Sequence, residues 1–236
     1  MPNTLFLRLE GPLQSWGERA RWDIRDTSLE PTKSGIVGLL GCALGIAEDD
    51  YLADLSRGVH LGIRCDRPGT VLIDYHTVCG GVLSAEGKVK LNANTHEPET
   101  VVSVRSYLCD ASFLAAIHAN ADWINRLSTA IQSPVWPVFL GRKSCPPSRP
   151  IYEGVGDHKN LELALAKWPL VQEDERKLQT IGNEIGENIR VRAVIECNPG
   201  EGAMRRDEIA SNQCRTFLPR YTRDIALEFS PGKEAA

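Results

Sequence analysis

Two hydrophobic periods take turns along this chain, and their order limits its fold more than any other feature. Leu5, Leu7 and Leu9 alternate with Phe6, Arg8 and Glu10, the period of a half-buried strand, which Gly11-Pro12 ends. Residues 12–33 are polar and read as a long ordered loop holding Trp16 and Trp22. Ser34 to Ile46 then continues apolar through several turns behind the start signal Pro31-Thr32-Lys33-Ser34, which predicts a helix. Val59, Leu61, Ile63 and Cys65 make a second strand, Arg67-Pro68-Gly69 a turn, and Val71 to Val78 a third strand. Val101 to Leu108 and Ser112 to Ala119 suggest further strands. Ile124, Leu127 and Ile131 predict a helix capped near Asn120 or Asp122, and Val135 to Leu140 a closing strand at an edge or bend, because Pro137 lacks an N–H. Strand, helix, strand, strand, helix, strand is the βαββαβ order of an α+β, ferredoxin-like domain, here over 1–150.

Three further segments need a place. Residues 79–100 open with Cys-Gly-Gly and stay polar, an excursion expected to project as a hairpin. Residues 151–188 read as an acidic connector with a short helix around Leu161 to Ala166. Ile189, Val191, Ala193 and Ile195 alternate with Arg190 and Arg192, and Ile225 to Phe229 makes a last strand. A small antiparallel sheet subdomain over 189–236, packed on the first and ending in a frayed tail from Ser230, is expected. Within the first predicted helix, Gly38, Gly41 and Gly45 share one side. Each costs about 1 kcal/mol relative to alanine, so that side is expected to lie almost backbone to backbone against a sheet or a ligand.

With 236 residues, 42% of them apolar and 25% charged, the chain has the composition of an ordinary globular protein. No apolar run is long enough to span a bilayer and no signal peptide is visible, so a cytoplasmic protein without membrane contact is expected. The seven cysteines show no C-x-x-C pair and are expected to act as small buried hydrophobes, with neither metal nor cofactor. A formal net charge of −4 argues against a nonspecific nucleic-acid coat. Its distribution is uneven, however. Residues 153–175 carry six acids against two lysines, whereas 142–149 holds Arg142, Lys143 and Arg149 with no acid. Residues 205–223 hold five arginines against Asp207 and Glu208. Two basic patches on a neutral background are what a localised polyanion site requires.

Four separated stretches carry a resemblance: Leu7-Arg-Leu-Glu-Gly-Pro-Leu-Gln-Ser-Trp-Gly17; Pro31-Thr-Lys-Ser-Gly-Ile-Val-Gly-Leu-Leu-Gly41; Tyr75-His-Thr-Val78 with Arg105-Ser-Tyr-Leu-Cys-Asp-Ala-Ser-Phe113; and Leu140-Gly-Arg-Lys-Ser-Cys-Pro146. Phe217-Leu-Pro-Arg220 adds a weaker match. In this order they resemble the fifth family of CRISPR-associated proteins, the CasD family of type I-E Cascade complexes, within the RAMP superfamily. The resemblance implies an RRM-like ferredoxin domain with a projecting thumb hairpin and a smaller C-terminal sheet. It also implies a non-catalytic subunit that holds the 5′ handle of the CRISPR RNA, beside the large subunit and the backbone subunits, and meets target DNA only through the complex.

The residues suit that task chemically. Pro31-Thr-Lys-Ser-Gly35 opens a helix, where free N–H groups and the macrodipole attract a phosphate, Lys33 adds charge, Ser34 a hydroxyl and Gly35 room for close approach. Gly141, Arg142, Lys143 and Ser144 form a turn able to wrap a bent phosphate backbone. Tyr75, His76, Arg105 and Tyr107 flank the excursion, where a displaced base could stack; Arg25 and Arg220 join on charge and family position. Trp16 is expected to be a packing anchor. Two other readings stay open. A metal-independent endoribonuclease could assemble His76 with Tyr75 or Tyr107 and Lys33. A purely structural subunit would turn its basic patches to acidic partner surfaces instead.

Overall fold

The computed structural model describes residues 1–18, 23–81, 83–84, 86–171, 189–211 and 213–229. In chain order the elements are β1 (Thr4–Glu10), β2 (Leu13–Gln14), β3 (Ile24–Arg25), α1 (Lys33–Leu44), α2 (Asp49–Gly58), β4 (His60–Arg67), β5 (Thr70–Val78) and β6 (Val101–Cys109). They continue as β7 (Ser112–His118), α3 (Ala121–Gln132), β8 (Tyr152–Gly156), α4 (Leu161–Lys167), β9 (Ile189–Cys197), β10 (Ala203–Ser211) and β11 (Thr216–Phe229). Three helices start where side chains supply the missing acceptors: Thr32 Oγ1 accepts from Gly35 N–H at α1, Asn120 Oδ1 from Trp123 N–H at α3, and Asn160 Oδ1 from Leu163 N–H at α4.

Seven strands form one sheet in the order β10-β11-β9-β4-β7-β1-β8. Every pair along it whose register is resolved is antiparallel. Leu5, Leu7 and Leu9 point to one face, under Ile36, Val37 and Leu40 of α1 and Ile124, Leu127 and Ile131 of α3. The other face of β1 is buried as well, against the expectation of a half-buried strand. Phe6 packs with Leu114, Leu161 and Leu165, and the Trp168 indole stacks on its ring at 3.9 Å. Burial at roughly 1.5–3 kcal/mol per large apolar side chain holds α4 there, a helix of seven residues too short to persist alone. Arg64, fully buried, fastens its end: Nη1 donates to Leu165 O (2.6 Å) and Trp168 O (2.5 Å), and Nη2 to Pro169 O (3.0 Å). The cation therefore sits at the helix C-terminus, where the dipole favours it, and Asp66 compensates it.

Several expectations are corrected. Val135 to Leu140 is not a strand. Its N–H groups at Val135 and Trp136 instead donate to Ala43 O and Cys42 O and so close the C-terminal turn of α1. The edge position beside β1 belongs to β8. The C-terminal strands do not make a sheet of their own, because β9 pairs with β4 (Gly62 with Ile195, Arg64 with Ala193) and extends the first sheet. The excursion is part of a longer hairpin: β5 and β6 pair from Thr70–Cys109 to Val78–Val101, and β2 and β3 join them in a second sheet. α2 was not expected. The expected backbone-to-backbone contact is not found: a Cβ on Gly41 would strike Leu52, one on the cap residue Gly45, whose φ is +70°, would strike Val135, and one on Gly38 would meet no described residue within 4 Å. Of the cysteines only Cys65 and Cys145 are buried, while Cys79 and Cys214 are exposed. Among the described residues no helix is long and apolar enough to cross a membrane, and no group of three or more His, Cys, Asp or Glu is placed to hold a metal. Trp22, most of the acidic connector (172–188) and the tail from 230 lie outside the described residues.

Candidate nucleic-acid interface

The start of α1 behaves as an anion site, but the anion is internal. Lys33 N–H donates to Asp207 Oδ2 (2.8 Å) on β10, and Arg220 on β11 grips both oxygens of the same carboxylate (2.6 and 2.8 Å). The Lys33 ammonium, 1% exposed, lies between Glu196 Oε1 (2.9 Å) and Glu208 Oε2 (3.1 Å). Burial would raise the Glu196 pKa, yet the His60, Lys33 and Leu61 N–H partners outweigh it and bring it down to about 2. Lys33 and Arg220 therefore fasten the helix to the C-terminal strands instead of facing a phosphate. Gly35 makes room for Trp16, since a Cβ there would come within 2.8 Å of the indole. Trp16 is the packing anchor expected, 1% exposed with Nε1–H donating to Gln14 Oε1. Ser34 stays half-exposed. The second basic patch is largely neutralised too, because Arg205 pairs with Glu30, Arg223 with Glu162 and Arg220 with Asp207. Arg206 and Arg215 are exposed.

A different set of residues comes together where the hairpin leaves the body. Opposed residues of an antiparallel pair share a face. The register pairs Asp74 with Arg105, His76 with Ser103 and Leu72 with Tyr107, so Arg105, His76 and Tyr107 lie on one face. Arg25, level with Arg105 across a parallel bridge, joins them. Tyr75, 70% exposed, faces the opposite way, with Ile73 and Val71.

The turn after Leu140 closes this face. Gly141 has φ +92°, and a Cβ on it would come within 1.7 Å of Ser15 O, so no other residue fits without moving the backbone. Ser15 N–H donates to Leu140 O (3.0 Å) and Leu140 N–H to Cys145 O (2.8 Å), which fixes the turn against β2. Arg142 donates to Ser106 O (3.1 Å), Arg25 O (2.8 Å) and Asp26 O (3.2 Å), and its guanidinium lies 4.8 Å over the ring of Tyr107. Tyr107 is buried, which would raise its pKa. Hydrogen bonds from Ser144, Arg142 and Arg105, with the Arg142 charge, outweigh that and lower it. Lys143 is left exposed, and Ser144, exposed as well, turns its hydroxyl to Tyr107. Arg142 is held by carbonyls and by Tyr107, none of which carries a formal charge, so its charge adds to those of Arg25, Arg105 and Lys143.

The four residues of the ribonuclease reading are not brought together. Tyr75 is on the far face from His76, Tyr107 lies four residues, roughly 13 Å, along β6 from the position opposite His76, and Lys33 is buried elsewhere. The sequence reading missed Asp74, whose Oδ2 lies 3.3 Å from His76 Nδ1, and Ser103, whose Oγ accepts from Arg105 Nε at 3.0 Å. Both pairs are separated by two residues in a strand, a spacing that puts side chains on one face and was legible.

Comparison with known proteins agrees with the four sequence stretches. The family profile described as CRISPR-associated protein (Cas_Cas5) matches residues 4–207. The CRISPR system Cascade subunit CasD of Escherichia coli (strain K12) is 38% identical over 188 residues, 74% of this chain and 80% of that protein. Among solved structures, one described as the crystal structure of a Cas protein superposes with a TM-score of 0.68 at 32% identity, covering 95% of each chain. A chain of a CRISPR RNA-guided surveillance complex gives 0.71 at 28% identity, covering 98% of this chain and 95% of that one. The chain therefore belongs to the Cas5 family of CRISPR-associated proteins.

Proposed function

We propose that this chain is the CasD-type subunit of a type I-E Cascade complex. In this reading it is a non-catalytic, cytoplasmic protein that grips the 5′ handle of the CRISPR RNA and contacts the large and backbone subunits. The order β4-β7-β1-β8, with α1 and α3 on one face, supports a ferredoxin-like reading in which β8, just past the expected 1–150, replaces Val135 to Leu140 as the last strand, with 79–100 at the end of the β5–β6 hairpin as the thumb. The observation that carries the RNA reading is the cationic face at the thumb's base. Arg105 and Arg142 meet at Tyr107, Arg25 lies level with Arg105, and Lys143 is exposed on the adjoining 141–144 turn, with His76 and Asp74 farther out along the same face. Cations and hydroxyls on a fixed turn suit a bent phosphate backbone, and the exposed Tyr75 ring on the thumb suits stacking on an unpaired base.

Binding of a labelled CRISPR repeat RNA at several salt concentrations tests this. Arg105→Ala and Lys143→Ala should each lower the magnitude of the log–log salt slope by roughly 0.7, the loss of one single-strand phosphate contact. Lys33→Ala, by contrast, should leave the slope of the folded protein unchanged. Unchanged slopes in Arg105→Ala and Lys143→Ala would favour the purely structural reading.

A further inference from the structure

Both ends of the seven-stranded sheet are shielded against further pairing. β10 carries Arg205, Arg206, Asp207 and Glu208 in succession and packs against α2, and β8 is five residues long with two glycines. β5 has no such device. It pairs only with β6, and its nine residues, Thr70-Val-Leu-Ile-Asp-Tyr-His-Thr-Val78, include no proline, glycine or lysine and one formal charge, Asp74. None of the nine is buried. The contacts on the other side of β6 show which backbone groups of β5 face outward. Val104 N–H donates to Asp23 O beside β3, and Ser106 O accepts from Ser15 Oγ and Arg142 Nη1, all away from β5. In an antiparallel pair, a residue whose amide and carbonyl turn away from the partner strand lies opposite one that does the same. Val104 is opposite Tyr75 and Ser106 opposite Ile73. By alternation, the N–H and C=O groups of Val71, Ile73, Tyr75 and Thr77 all point to the open edge, a row roughly 20 Å long. Among the described residues nothing bonds to them. Their side chains share an uncharged face with Val104 and Ile24, whereas Arg25 and Arg105 lie on the opposite face.

We propose that the outer edge of β5 receives an extended segment of another protein subunit as an added strand, one with aliphatic residues at alternate positions and polar ones between them. The aliphatic side chains lie on the face of Val71 and Ile73, and the polar ones on the face that holds Asp74, His76 and Arg105. Backbone pairing supplies the affinity and the alternation supplies the selectivity. A nucleic acid does not suit this edge, because it cannot continue a peptide ladder and the uncharged face offers its phosphates no cation. A second copy of this chain does not suit it either. Two-fold pairing of β5 with β5 would set two copies of Arg25 and Arg105 side by side on one face, like charge against like charge. Strand addition uses the Tyr75 backbone and leaves its ring for a base. The inference rests on the reading of the chain as a subunit of a larger complex and adds to it the mode of one contact.

Hydrogen exchange read amide by amide, by mass spectrometry with electron-transfer fragmentation, tests it. In the chain alone the amides of Val71, Ile73, Tyr75 and Thr77 should exchange fast and those of Leu72, Asp74 and His76 slowly. In the ribonucleoprotein purified with its other subunits the first set should slow by roughly tenfold or more. CRISPR repeat RNA alone should leave that set fast. If the four amides stay fast in a complex that contains the chain, the added strand is wrong and the subunit reading stands; a chain that enters no such complex sinks both. Slowing by RNA alone, or by raising the concentration of the chain alone, would assign the edge to RNA or to a second copy and overturn the proposal. Ile73→Pro removes one outward N–H and no inward bond, so the β5–β6 ladder should persist. It should weaken entry into the complex roughly 5-fold relative to Ile73→Ala, which shortens the side chain but keeps the N–H. Equal affinities of the two variants would contradict the pairing.

Discussion

Replacing Lys33 with alanine separates an internal fastening from an RNA ligand. In the folded chain its ammonium lies between Glu196 and Glu208, whose side chains are only 12% and 18% exposed. Truncation leaves two mostly buried carboxylates facing each other, and breaking a buried ion pair by removing one partner costs about 3–5 kcal/mol. Against a total stability on the order of 5–15 kcal/mol, that is a large fraction. For a chain of this length each kcal/mol moves Tm by about 2–4 °C, so a fall of roughly 6–20 °C is expected by circular dichroism at pH 7. The deficit should shrink as pH falls toward 5, because without Lys33 the two carboxylates repel and one takes up a proton more readily. Lys33→Met combined with Glu196→Gln and Glu208→Gln should recover much of the loss. RNA affinity, measured where both proteins are folded, should be unchanged. A Tm within 1 °C of the parent together with weakened RNA binding would refute the internal assignment and return Lys33 to the phosphate role its sequence context first suggested.

Other expectations follow from the same contacts. Gly141→Ala places a Cβ against Ser15 O and forces a strained φ, so it should destabilise the chain by about 2 kcal/mol or more and weaken RNA binding with it; a neutral Tm would contradict the turn's geometry. The His60–Glu196 contact gives a pH signature. His60 is raised by Glu196, so its contribution is full below the ordinary histidine pKa near 6.5 and fades as pH rises through the raised value. The Glu196 contribution is present above the ordinary carboxylate range and is lost as pH falls toward about 2. The Tm difference between the parent and His60→Asn should therefore be largest near pH 5.5 and vanish at alkaline pH, and a difference that grows with pH would be the wrong sign. Deleting 82–97 should leave Tm within a few degrees, since among the described residues that stretch bonds to itself and to the adjoining Pro98 and Glu99, while loosening RNA or partner docking. A variant that assembles and silences targets as the parent does would contradict the thumb assignment.

What the sequence made legible is what local chemistry decides. Thr32 and Asn120 mark their helices because a cap needs only the next three residues, and Leu5, Leu7 and Leu9 mark β1 by period alone. The second buried face of β1 was hidden, because Phe6 finds its cover in Trp168, more than 150 residues later. Val135 to Leu140 has strand-like residues, but its N–H groups close α1, a use that no local pattern records. β8 escaped notice because Gly154 and Gly156 are poor strand formers; a Cβ on Gly154 would strike Trp168. Lys33 is the most instructive case. A helix start with a lysine attracts an anion, and local sequence says nothing of whether that anion is a phosphate or a carboxylate from a strand 174 residues away. At the candidate interface, by contrast, Arg105, Arg142 and Lys143 were visible as charge, and only the register of β5, β6 and β3 shows which of them share a face.

Density for the ribonucleoprotein assembled with this chain tests the central claim most directly. Phosphates within hydrogen-bond reach of Arg25, Arg105 and Lys143, with the RNA strand bent around the 141–144 turn and no bond in it cleaved, are the predicted result. Those side chains facing solvent or another subunit, with the RNA end held elsewhere, would contradict it.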